Sequence, residues 1–177
     1  KAVERIESYD PPWPLPKLFR MKKGDKINRG IFEGATINTP SLLATEDYIA
    51  ALEWAKSIGG LSAMIERANT NANIVKDWIE KTPWLKNMVD DPAKRTNTGV
   101  CMQFTGEWYD SLSAEDQAAV PKKIVKMLEE RNVGYDFNGY RDAPPSLRIW
   151  CGGTLEAEDI SRLLPWIEWA YEAVKNG

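Results

Sequence analysis

The chain has 177 residues, a formal charge of −3 and no histidine. The length suits one domain, or one domain with part of another. The charge offers no basic field for nucleic acid or an anionic membrane, and no apolar run approaches the ~18 residues of a membrane helix. Without histidine the usual general base, the usual metal ligand and every Ser-His or Cys-His pair are missing. The two cysteines, Cys101 and Cys151, form no CxxC, which argues against zinc. Both lie in apolar runs and read as buried free thiols of a reducing compartment.

Residues 1–9 read as the end of a short helix with Val3 and Ile6 on one side. The run Pro11-Pro12-Trp13-Pro14-Leu15-Pro16 is rigid and extended, and reads as packing on a neighbouring surface rather than as a ligand for a proline-binding groove. Residues 17–30 carry Lys17, Arg20, Lys22, Lys23, Lys26 and Arg29 with two glycines, which predicts a solvated loop. Residues 1–40 show little periodicity and no strand. They are expected to be the tail of a larger domain whose core lies upstream.

The character changes at Thr39-Pro40. Thr39 is a predicted N-cap and Pro40 a first helical residue. A connecting helix over 41–59 ends at Gly59-Gly60. A second helix carries Leu61, Met64, Ile65, Ala68, Ala72, Val75, Trp78 and Ile79 and stops before Pro83. Val100, Met102 and Phe104 alternate with Cys101 and Gln103 in a strand from about Thr98 to Thr105. Ser113 and Asp116 form a capping-box pattern. Pro121 should break the helix that follows, leaving a short turn before it and the main helix after it. Tyr135 and Phe137 predict a short strand and Leu147 to Cys151 the next. Thr154 is read as the cap of a last helix, kinked at Pro165. Residues 60–177 are therefore a small α+β domain with a mainly antiparallel sheet covered by helices.

The segment from Gly139 to Gly153 reads Gly-Tyr-Arg-Asp-Ala-Pro-Pro-Ser-Leu-Arg-Ile-Trp-Cys-Gly-Gly. Pro144 and Pro145 force extended backbone. In the strand that follows, Leu147 and Ile149 point to one face and Arg148 and Trp150 to the other. Arg148 on a rigid strand and Arg141 on the loop before it suit a carboxylate or a small dianion. From these residues alone the commoner case is an Arg148 paired to a structural carboxylate and a merely solvated Arg141, because most arginines are structural or at the surface.

This segment resembles the C-terminal substrate-binding part of the phosphoserine aminotransferase family. The run Gly30-Ile31-Phe32-Glu33-Gly34-Ala35-Thr36-Ile37-Asn38-Thr39-Pro40-Ser41 and the later Pro165-Trp166-Ile167-Glu168-Trp169 are similar to that family too. The resemblance implies a C-terminal part of a pyridoxal 5'-phosphate aminotransferase of serine biosynthesis. Such an enzyme is cytoplasmic and homodimeric, and exchanges an amino group between glutamate and 3-phosphohydroxypyruvate, with phosphoserine and 2-oxoglutarate as products. It implies that residues 1–40 are a remnant of the large cofactor-binding domain. Arg148 matches the α-carboxylate clamp and Arg141 an arginine of the phosphate site. Tyr140 stands where many members have histidine, so it brings a hydrogen-bond donor without charge. Asn38 and Thr39 match a pair that reaches the cofactor phosphate of the neighbouring subunit. No lysine matches the one that carries the cofactor, so the chain by itself is expected to be inactive.

Overall fold

The computed structural model describes residues 1–36 and 38–177, with Leu18 described for its backbone alone. Ile37, inside the Gly30 to Ser41 run, lies outside the described residues. The chain separates into two compact units, Lys1–Glu53 and Trp54–Gly177.

In the first unit, α1 spans Ala2–Ser8. Residues 17–30 correct the loop expectation. They hold a single-turn helix over Lys17–Phe19 and an antiparallel hairpin, β1 (Lys22–Lys23) and β2 (Lys26–Ile27). The hairpin turns at Gly24, whose φ of +63° is open to glycine. Glu7 ties α1 to it by accepting the Ile27 N–H at 3.0 Å, and the Lys22 ammonium lies 2.9 Å from Asp10. A second single-turn helix covers Arg29–Phe32.

Helix α2 spans Leu42–Ser57. Its start corrects the predicted cap: the Ser41 hydroxyl, not Thr39, accepts the Ala44 N–H at 3.3 Å. Gly59 and Gly60 take φ of +115° and +70°, as a glycine stop requires.

The second unit is an α+β layer. Helix α3 spans Gly60–Lys81 and buries Ala68, Ala72, Val75, Trp78 and Ile79, the later part of the stripe read from the sequence; Leu61 and Ile65, at its start, are exposed. A three-stranded antiparallel sheet runs in the order β3 (Leu85–Asn87), β4 (Gly99–Phe104), β5 (Ser146–Trp150). Its register sets Val100 opposite Ile149, Cys101 opposite Arg148 and Met102 opposite Leu147. A period of two therefore puts Val100, Met102, Leu147 and Ile149 into the core and Arg148 beside Cys101 on the other face.

A single-turn α4 (Glu107–Asp110) leads to α5 (Ala114–Glu130). Pro121 lies inside α5 and does not break it. Its missing N–H would have served the Gln117 carbonyl; the Tyr109 hydroxyl donates to that carbonyl instead, at 3.3 Å. The Ser113 hydroxyl accepts the Asp116 N–H at 3.1 Å but donates to the Asp116 carboxylate at 2.7 Å, so the reciprocal half of a capping box is replaced by a side-chain bond. The last helix, α6, spans Ala157–Asn176 and runs on through Pro165. Its N-cap is Glu156 rather than Thr154, which lies in the turn before it. The helices bury Ile124, Leu128, Ile160 and Ile167 against the sheet. Trp84, Phe104 and Tyr171 stack near one end of this core, with Trp84 and Tyr171 centroids 3.7 Å apart.

The predicted strand at Tyr135 and Phe137 does not form. Asp136 between them has φ of +61°, the left-handed region, which ends any alternation. Only Asn138 bridges to Leu147.

Candidate functional site

The Gly139 to Gly153 segment folds as its residues dictate. Tyr140 to Ala143 make a turn, closed by the Ala143 N–H donating to the Tyr140 carbonyl at 2.9 Å. The prolines then deliver an extended chain into β5. Leu147 and Ile149 anchor that strand in the core, which fixes the direction of Arg148.

The Arg148 side chain is 23% exposed. One Nη donates to Asp136 Oδ2 at 2.8 Å. The guanidinium carbon also lies 4.5 Å from the centre of the Tyr140 ring. Arg148, Tyr140 and Asp136 line a cleft of about 720 Å³ together with Cys101, Thr98, Trp150 and Asp159. The cleft is walled by the ends of β4 and β5, the 133–140 segment and the start of α6. A half-buried guanidinium with neighbouring hydroxyls is equipped to bind a carboxylate.

Of the predicted site residues, Arg148 and Tyr140 are brought together. Arg141 is not: its side chain is 93% exposed and its nearest carboxylate is Asp142, at 3.6 Å. Asn38 and Thr39 belong to the first unit, just before the Ser41 cap of α2, and both are exposed.

Sequence reasoning missed Asp136. Its neighbourhood, Gly134 and Asn138-Gly139, is rich in turn formers, and that signal outweighs two alternating aromatics. It also missed the latch behind β5. Arg67 of α3 donates through Nε to the Gly153 carbonyl at 2.7 Å and through Nη2 to the Leu155 carbonyl at 3.2 Å, and pairs with Glu156. Asn71, buried, donates to the Gly152 and Leu155 carbonyls. A Cβ on Gly153 would sit 2.7 Å from the Met64 carbonyl oxygen, so glycine permits this close approach to α3. The Arg67 hydrogen bond holds the Glu156 carboxyl below its ordinary range. Burial pushes the Cys151 thiol, at the end of β5, up to about 11.

No family model matches the chain. Curated relatives do. The chain is 49% identical over 175 residues to a phosphoserine aminotransferase of Methanosarcina mazei, covering 99% of this chain and 45% of that one. It is 48% identical to the phosphoserine aminotransferase of Methanosarcina barkeri, with the same coverage. It thus spans slightly under half the length of the curated relatives it matches. Among solved structures, phosphoserine aminotransferase from Bacillus circulans subsp. alkalophilus superposes with a TM-score of 0.65 at 18% identity, over 81% of this chain and 36% of that one. A PLP-bound phosphoserine aminotransferase from Trichomonas vaginalis gives 0.63 at 19% identity, over 78% of this chain and 36% of that one. At that identity the two structures support the fold, while the archaeal relatives carry the kinship in sequence. Over nearly its whole length the chain is similar in sequence to phosphoserine aminotransferases, of whose length it spans slightly under half.

Proposed function

We propose that this chain is the small-domain part of a pyridoxal 5'-phosphate-dependent phosphoserine:2-oxoglutarate aminotransferase, cytoplasmic and homodimeric at its full encoded length. The observation that carries the reading is the half-buried Arg148 guanidinium, presented by β5 to a cleft of about 720 Å³. It is supported by 49% identity to a phosphoserine aminotransferase over nearly the whole chain.

When bound, the cofactor supplies the electron sink that lets an amino group pass between an amino acid and a 2-oxo acid. Arg148 clamps the substrate α-carboxylate and so fixes the Cα between its neighbours; its strand position makes that clamp rigid. Arg141, exposed on its loop beside Asp142, is the residue that would meet the substrate phosphate on this reading. Asn38 and Thr39 are the residues that would hold the cofactor phosphate of the neighbouring subunit. Both are exposed, and an amide and a hydroxyl are neutral donors suited to a phosphate. No lysine of this chain is assigned to hold the cofactor, so the 177 residues alone are inactive on this reading.

A second reading, transamination of an unphosphorylated amino acid, rests on Tyr140. It adds no charge to a phosphate site, and its ring lies against Arg148. Assay of the protein at its full encoded length separates the two. Turnover of O-phospho-L-serine with 2-oxoglutarate, well above that of serine or alanine, is the expected result. Turnover of serine or alanine alone supports the second reading, and no turnover of any of the three overturns both.

A further inference from the structure

The Arg148 guanidinium is held from two directions by residues given no such task so far. Asp136 takes one Nη hydrogen at 2.8 Å, and the Tyr140 ring covers one face at 4.5 Å. The main chain sets Asp136 up for this. Its φ is +61°, a conformation that aspartate tolerates better than most residues. The Arg148 N–H donates to the Phe137 carbonyl at 2.8 Å, and Asn138 bridges to Leu147, so the segment carrying Asp136 is bonded to the strand carrying Arg148. The backbone thus holds the segment that carries Asp136 beside β5, although the Asp136 side chain itself is 84% exposed.

We infer that Asp136 and Tyr140 are positioning residues for Arg148, one orienting its guanidinium and the other supporting its face, and that Tyr140 acts through its ring rather than as a hydroxyl donor to a phosphate. The inference rests on the reading of Arg148 as the carboxylate clamp. A guanidinium has five N–H donors in a planar fork. One Nη hydrogen bond and one covered face restrict its rotation and leave other donors for a ligand. An arginine already ordered loses less freedom when a carboxylate arrives.

The chemistry predicts different behaviour for the ring and the hydroxyl. Tyr140→Phe keeps the ring and removes the hydroxyl. Tyr140→Leu removes both. Asp136→Asn keeps an oxygen acceptor and the left-handed preference but removes the charge. The first readout is solvent exchange of the Arg148 Nε–H by NMR in the protein at full encoded length. Exchange should be unchanged in Y140F, faster in Y140L by about two- to fivefold, the range of an exposed cation–π contact, and faster in D136N, which loses a charge-assisted hydrogen bond. The second readout is steady-state kinetics at full encoded length. Y140L should raise KM by a similar factor for both glutamate and O-phospho-L-serine with kcat little changed, and by more than Y140F does.

The inference is overturned if Y140L and D136N leave Arg148 exchange as it is. It is overturned equally if Y140F raises KM for O-phospho-L-serine alone, since that is the behaviour of a phosphate ligand. Should the full-length protein fail to transaminate, the functional reading falls, while the exchange rates still decide whether Asp136 and Tyr140 hold Arg148.

Discussion

Tyr109 and Gln117 exchange two hydrogen bonds across the start of α5. The Tyr109 hydroxyl donates to the Gln117 carbonyl at 3.3 Å, and the Gln117 amide donates to the Tyr109 carbonyl at 3.0 Å. The first of these bonds serves the carbonyl that Pro121 leaves without a donor. Tyr109→Phe should therefore cost more than an ordinary surface bond, about 1–2 kcal/mol. Restoring a backbone donor with Pro121→Ala in the same chain should recover part of it. Urea unfolding of the two single variants and the double variant gives the coupling.

Cys151 sets an alkaline limit to stability. Its thiol is raised from 9.0 to about 11 by burial, ahead of smaller lowering effects from the Val100 backbone and Lys76. Between those values the unfolded chain loses a proton that the folded chain keeps, so stability falls as pH rises through that window. Tyr109 and Tyr171, also raised chiefly by burial, add to the fall above pH 10. The urea midpoint should drop between pH 8.5 and pH 10.5, and Cys151→Ala should flatten that drop. Cys101, half-exposed, should react with a maleimide in the folded chain while Cys151 waits for unfolding.

The Arg67 latch should matter more than its ion pair. Arg67→Ala removes the donors to the Gly153 and Leu155 carbonyls, and should cost about 1–3 kcal/mol. Glu156→Gln should cost much less, because those carbonyl bonds remain. Glu156 has a lowered folded pKa, so its contribution is present above the unfolded value and is lost as pH falls through the folded one. Acid unfolding curves of the two variants check both statements.

The expectations that held were those with a long, regular pattern behind them. The α3 stripe from Ala68 to Ile79 and the alternation in β4 and β5 each involve several residues whose burial agrees with one period, while Leu61 and Ile65 at the start of that stripe stay exposed. Those that failed turned on single contacts. No local pattern announces that a tyrosine twelve residues before Pro121 will serve the carbonyl that Pro121 cannot, so a break was expected where α5 continues. Strand β3 has only Leu85–Asn87, too short to show alternation, and forms because β4 pairs with it. The β1–β2 hairpin is short and lysine-rich, and hides in a charged run. At the candidate site, the placement of Arg148 was legible because strand geometry decides it. Asp136 was not, because its role depends on a left-handed turn that brings it back to β5.

The central claim is that Arg148 clamps the substrate carboxylate while Arg141 serves the phosphate. Steady-state kinetics of Arg148→Lys and Arg141→Lys at full encoded length test it most directly, with glutamate and O-phospho-L-serine as separate amino donors. The account predicts that R148K raises KM for both, because a lysine cannot reproduce the planar fork, and that R141K raises it for O-phospho-L-serine alone. Unchanged KM for both donors in R148K would contradict the account and leave Arg148 as the partner of Asp136 and nothing more.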